Sequence, residues 1–137
     1  MTPTDDTTQA TETGVEDRLT RPGAISYLHI PATDTRQAAT FYEAVFGWTV
    51  HGHDSARPGF DDGGGTISGA WMTTQEISRE PGLLPYIYVE HIDDTVERIE
   101  ANGGQIVLPP YPEGNLWVST FRDPSGNVLG VWHAGPR

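Results

Sequence analysis

The sequence predicts an α+β chain in which two βαβββ modules form a curved mixed sheet around a central cavity. Three observations predict it. An alternating apolar stretch is followed at once by a segment with helical spacing, the same order recurs 59 residues later, and further strand-like stretches cluster after each helix. Strands that follow the helix in a group, instead of alternating with helices, favour sheets with helices on one face over a doubly wound parallel sheet.

The first structured stretch, from Ile25, is ISYLHIPA, which alternates as a half-buried strand does. Asp34 then offers an N-cap with Gln37 three residues on, and Ala38, Phe41, Tyr42, Val45 and Phe46 form one apolar helical face. Gly47 stands where a left-handed residue closes a helix. WTVHGH, a short strand within 54–65 and TISGAWMTT supply three strands, and residues 75–85 form a linker. Module one therefore spans about 24–74.

Module two, about 85–134, opens on PYIYVEHI. Asp93 and Asp94 offer caps for TVERIEAN, which Gly103 and Gly104 close. QIVLPP, NLWVSTFR and NVLGVWH follow, the last two joined by Asp123-Pro124-Ser125-Gly126-Asn127, with Pro at the second turn position and a positive φ at Gly126. Placing Asp93 on Asp34 pairs Tyr86 with Tyr27 and Tyr88 with His29.

Composition sets the boundaries of function. Residues 1–23 are rich in Thr, Asp and Glu and poor in large apolar groups, which predicts a disordered acidic tail ahead of a single domain, 24–137. Nineteen acidic residues against eight basic ones, all arginine, give a formal charge of −11 and disfavour a nucleic-acid partner. No apolar run is long enough to span a bilayer and the N-terminus lacks a signal-like pattern, so a cytoplasmic protein without membrane contact is expected. Without cysteine, any metal would need nitrogen or oxygen ligands.

Strand parity then separates two faces. Leu28, Ile30, Ile87, Val89, Leu129 and Val131 belong against the helices. Tyr27, His29, Tyr86, Tyr88, Glu90, Gly130 and Trp132 turn toward the cavity, with Val128 on the same parity. Trp117 and Trp71 are pocket candidates of ambiguous parity. An inward set rich in Tyr and His suits a small-molecule pocket better than pure core filler, because each polar tip needs a partner when buried. His29 is the candidate acid/base, because imidazole is the side chain type most often used for that role. Glu90 could orient it; His51 and His53 alternate on one strand; His91 and His133 receive no role. No nucleophile elbow is evident, and Gly63–Gly65 is not followed by a helix, which argues against a phosphate cradle.

YLHIPATDTRQAATFYEAVFGW resembles the opening strand and helix of vicinal-oxygen-chelate proteins, the glyoxalase/bleomycin resistance/dioxygenase type, and FRDPSGNVLGVWH resembles their closing hairpin. The similarity runs over roughly residues 25–134 and is strongest to the single-domain branch related to lactoylglutathione lyase. The resemblance implies a homodimer and, in metal-dependent members, a divalent ion on two histidines (or glutamine) and a glutamate. Counting back from the capping aspartates, those places hold Tyr27, Tyr86 and Gly130, which offer a divalent ion two neutral phenols and no third side chain. The reading is therefore a protein that binds a small organic molecule with no cofactor, either as a binding or resistance protein or as a metal-independent enzyme using His29. Two alternatives stay open. One is a lyase, isomerase or dioxygenase with Zn, Mn, Fe or Ni held by His29 and Glu90 or by His51 and His53; the other is a non-catalytic interaction module.

Overall fold

A computed structural model describes residues 15–137. The order is β1 (Tyr27–Pro31), α1 (Thr35–Phe46), β2 (Thr49–His51), β3 (Gly59–Asp61), β4 (Ser68–Met72), β5 (Tyr86–Tyr88), α2 (Ile92–Ala101), β6 (Gln105–Glu113), β7 (Leu116–Arg122) and β8 (Val128–Ala134). Each module is a βαβββ unit with its own four-stranded mixed sheet, ordered β1-β4-β3-β2 and β5-β8-β7-β6. In each, the opening strand pairs in parallel with the closing strand, and the remaining pairs are antiparallel.

Helix α1 forms as its sequence requires. Asp34 accepts from the N–H groups of Arg36 and Gln37, and Gly47 ends the helix at φ 71°. Its apolar face is buried: Ala38, Phe41, Tyr42 and Val45. Helix α2 departs from expectation. Its N-cap is His91, and Asp93 and Asp94 lie inside the first turn. The end is satisfied from a distance, because Nδ1 of buried His133 on β8 accepts from the N–H of Ile92 at 3.0 Å. The carboxylates still suit the positive end of the helix dipole.

Both helices and the helix-facing sides of both sheets share one core. Tyr42 stacks on Trp48, Trp48 on Phe60, and Phe60 tilts against Trp71, while Phe41 and Phe46 reach across to Phe121 of the second module. Burying each such aromatic contributes roughly 1.5–3 kcal/mol.

The junction between the end of β1 and the β7–β8 turn is polar and dense. Asp123 Oδ1 accepts from the N–H groups of Ser125, Gly126 and Asn127, and its Oδ2 accepts from Tyr42 OH at 2.8 Å and Asn127 Nδ2 at 2.8 Å. Asn127 Nδ2 also donates to the carbonyl of Pro31, and Ser125 Oγ accepts from the N–H of Thr33. This network staples module two to module one.

Residues 1–14 of the expected tail lie outside the described residues. The stretch that follows carries a short 3-10 turn, Asp17–Leu19, and Arg18 is anchored. Its guanidinium donates to Glu16, the carbonyl of Gly65, Asp61 and Ser68, with the side chain only 9% exposed.

Candidate functional site

Strand alternation places the sheet faces as the sequence indicates. On β1, Tyr27 and His29 are exposed while Ile30 is buried, and on β5 Tyr86 and Tyr88 are exposed while Ile87 faces the core. Tyr27, Tyr86 and Tyr88 are 55%, 45% and 52% exposed, so in one chain these rings are not core filler.

On the second sheet the aromatic face is continuous. Gly130 pairs with Tyr86 across β5 and β8, and the Tyr86 ring lies so close over it that a β-carbon at 130 would collide with the ring. Two residues along, Tyr88 meets Trp132 edge-on at 4.8 Å. Burial, and then the charges of Tyr111 and Glu113, raise the Tyr86 pKa and keep it a neutral phenol. On the first sheet, Tyr27 packs edge-on to His29 at 5.6 Å, and His29 Nδ1 lies 3.0 Å from Gln75 Nε2 of the linker. None of the aromatic contacts among the described residues joins the Tyr27–His29 pair to the Tyr86–Tyr88 pair. The two halves of the expected pocket lie on separate sheets of the chain.

Other candidates fall elsewhere. Trp117 pairs with His133, on the opposite face from Trp132, and lies partly buried against the core with Arg137 5.0 Å above its ring. Its assignment to the pocket is corrected by the register. Trp71 is fully buried beneath Tyr42 and Phe60. Glu90 lies at the end of β5 and bounds a cleft; His29 hydrogen-bonds to Gln75 instead. His51 pairs with Asp61 at 2.8 Å and His53 with Glu43 at 3.4 Å, so the two imidazoles serve different partners.

The repeat also has a different offset from the one the aspartates suggested. The helices begin at Thr35 and Ile92 and their caps are Asp34 and His91, a shift of 57. The ladders agree: His29 sits opposite Ala70 and Tyr86 opposite Gly130, each three residues beyond a matched turn hydrogen bond, Asp62 N–H to Ile67 O and Asp123 N–H to Asn127 O. Tyr86 therefore corresponds to His29. The residue seven before the second cap is Leu84, not Tyr86.

A feature that the sequence does not reveal is a cleft of about 780 Å³ between the modules, lined by Leu28 and Trp48 on one side and by Pro85–His91, Thr95 and Arg98 on the other. Its volume lies within the range of about 300–1,000 Å³ typical of small-molecule sites.

The family model for the Glyoxalase/Bleomycin resistance protein/Dioxygenase superfamily matches residues 24–131. The chain belongs to this superfamily. Among relatives of the glyoxalase superfamily protein, CFP32 of Mycobacterium tuberculosis is 28% identical over 127 residues, covering 83% of this chain and 47% of that one. The anthracycline biosynthesis protein DnrV of Streptomyces peucetius is 25% identical over 138 residues, covering 83% and 48%. The chain thus spans about half the length of these curated relatives. In structure it is similar to the fosfomycin resistance protein FosX of Listeria monocytogenes, at TM-score 0.69 and 15% identity over 83% of this chain and 95% of that one. A point mutant of the same FosX, in complex with Mn(II) and 1S,2S-dihydroxypropylphosphonic acid, matches at TM-score 0.67 and 16% identity over 85% and 95%. These likenesses establish the fold.

The FosX complex contains a divalent ion, and in this chain the positions that the family resemblance assigns to metal ligands do not suit one. Tyr27 and Leu84 are poor donors, and the place of a carboxylate at Gly130 is filled by the Tyr86 ring. Among the described residues no group of three or more His, Asp and Glu could hold a metal ion, and no helix is long and apolar enough to cross a membrane.

Proposed function

We propose that this protein binds a small, partly aromatic organic molecule on its tyrosine-bearing sheet faces without a metal at the family's usual place. The observation that carries the reading is the Tyr86 ring seated on Gly130 beside the Tyr88–Trp132 pair. It is a solvent-open aromatic surface of the kind that marks a binding site when it is contiguous. His29, held through Gln75, is the acid/base group available if the bound molecule is also transformed. Because the two aromatic sets sit on separate sheets, pairing of two copies in a homodimer would bring a first-module face of one against a second-module face of the other and close the cavity. The relative named for anthracycline biosynthesis accords with a ligand of that class.

The test is metal analysis of dialysed protein together with thermal shifts in Zn²⁺, Mn²⁺, Fe²⁺, Ni²⁺ and Mg²⁺ and in a panel of aromatic compounds, since a ligand of the native state raises its stability. The expected result is no stoichiometric metal, no metal-dependent shift, and shifts with some aromatics that Tyr88→Ala and Trp132→Ala abolish. Stoichiometric metal whose retention requires His29 would overturn the metal-free reading. An aromatic panel without any shift would overturn the binding reading.

A further inference from the structure

The two modules meet twice, and the two meetings differ. At the stapled junction, Tyr42, Asn127 and Ser125 fill the space between the β7–β8 turn and the end of β1 with hydrogen bonds. The pseudo-symmetric junction sets the β3–β4 turn against the end of β5 and the start of α2. There Ile99 stands in the place of Tyr42 at the shift of 57, and Ile67 in the place of Asn127. The turn between is Gly63-Gly64-Gly65, with no side chain to bridge. Asp62, the counterpart of Asp123, spends its carboxylate on the N–H groups of Thr66 and Ile67 and on the Thr66 hydroxyl. The bridging side chains Tyr42, Asn127 and Ser125 of one junction thus give way to isoleucine and glycine at the other, where Asp62 is turned onto its own loop, and the cleft of about 780 Å³ lies there.

The apolar walls of this cleft are Leu28, Trp48, Phe60, Ile87 and Val89; Tyr86 and Tyr88 also border it, Trp132 is not among its lining residues, and Asp62, Glu90 and His91 add polar edges. At the mouth stands Arg98. Its one side-chain hydrogen bond is a 3.4 Å contact with Thr95, and no carboxylate pairs with it among the described residues. Glu90 also reaches the mouth; a ligand's negative charge must therefore sit on the Arg98 side.

We propose that the open junction is a second binding site, for an organic acid with an apolar, ring-bearing body: the body against Trp48 and Phe60, the carboxylate on the Arg98 guanidinium, which presents a planar fork suited to it. Such a molecule does between the modules what Tyr42 and Asn127 do at the other junction, so its binding stiffens the chain as a whole.

The probes are 4-phenylbutyrate and its uncharged amide, titrated by calorimetry into the wild-type protein, Arg98→Gln, Gly63→Phe and Trp132→Ala. Arg98 is exposed, and Gly63 has no left-handed backbone and a β-carbon there would meet nothing closer than the Phe46 carbonyl at 3.8 Å, so both variants keep the fold. The acid is expected to bind the wild-type protein and Trp132→Ala alike, to weaken more than about tenfold in Arg98→Gln, and to lose binding in Gly63→Phe. The amide is expected to be insensitive to Arg98→Gln. Absence of saturable binding to the wild-type protein would overturn the site. Loss of binding in Trp132→Ala with Arg98→Gln and Gly63→Phe unaffected would move the ligand to the tyrosine-bearing face. Equal binding of acid and amide would overturn the assignment of an anion.

Discussion

At the scale of single residues, Gly130 decides what the second sheet face can be. The Tyr86 ring rests where any side chain at 130 would stand, so Gly130→Val forces the ring off the sheet. The fold should survive, since Tyr86 is half exposed, while affinity for any aromatic ligand on that face falls more than about tenfold; calorimetric titration against the wild-type protein checks both halves. The orientation of these residues is legible in the sequence, because strands alternate and Leu28, Ile30, Ile87 and Val131 mark the core side without ambiguity. The correspondence between modules is not. Asp93 has the chemistry of a cap, yet the group that closes the helix start, His133, is 41 residues away in sequence and contacts Ile92 only through the packing of β8 on α2. Trp117 escapes a sequence reading for a related reason, since its face is fixed by its pairing with His133 across β7 and β8, a partner that alternation within NLWVSTFR does not reveal.

Among the elements, the segment around Asp17–Leu19 is held by the Arg18 side chain and by a backbone bridge at Glu16. Arg18 joins β3, β4 and their turn through Asp61, Ser68 and the Gly65 carbonyl. Burial alone would raise the Asp61 pKa, but hydrogen bonds from Ser68, His51 and Arg18 outweigh it and leave the carboxyl below its ordinary value. A depressed carboxylate contributes stability that is present above its unfolded pKa and lost as pH falls through the folded one, so this attachment weakens below about pH 4. Arg18→Ala should cost about 1.5–3 kcal/mol at neutral pH, the range for hydrogen bonds to charged groups, flatten the acid limb of the stability profile, and speed chymotryptic cleavage after Leu19. Denaturant titrations from about pH 3 to 7, spanning the carboxylate range, and a digestion time course measure these. Composition indicates a tail here, and an isolated arginine among acids carries no sequence signal of the acceptors that await it on β3 and β4.

For the whole molecule, the union of the modules depends on Tyr42. Burial first, and then the Asp123 carboxylate, push its phenol well above the ordinary value. A raised pKa means stability that is complete below the unfolded value and lost as pH rises beyond it, here above about pH 10. Tyr42→Phe should remove that alkaline component and cost about 1–2 kcal/mol at neutral pH, seen as a lower melting temperature whose fall between about pH 9 and 11 is shallower than in the wild-type protein. The helical spacing shows that Tyr42 is buried, and the Asp-Pro-Ser-Gly-Asn segment shows a turn; that the two bond to each other across 81 residues is a fact of tertiary packing alone. A chain bound along one margin and loose along the other resembles a book held by its spine, and it has a preferred direction of fracture. If the modules open, the glycine side should part first while Tyr42, Asp123 and Asn127 still hold, so amide hydrogen exchange is expected to be faster around the end of β5 than around the β7–β8 turn.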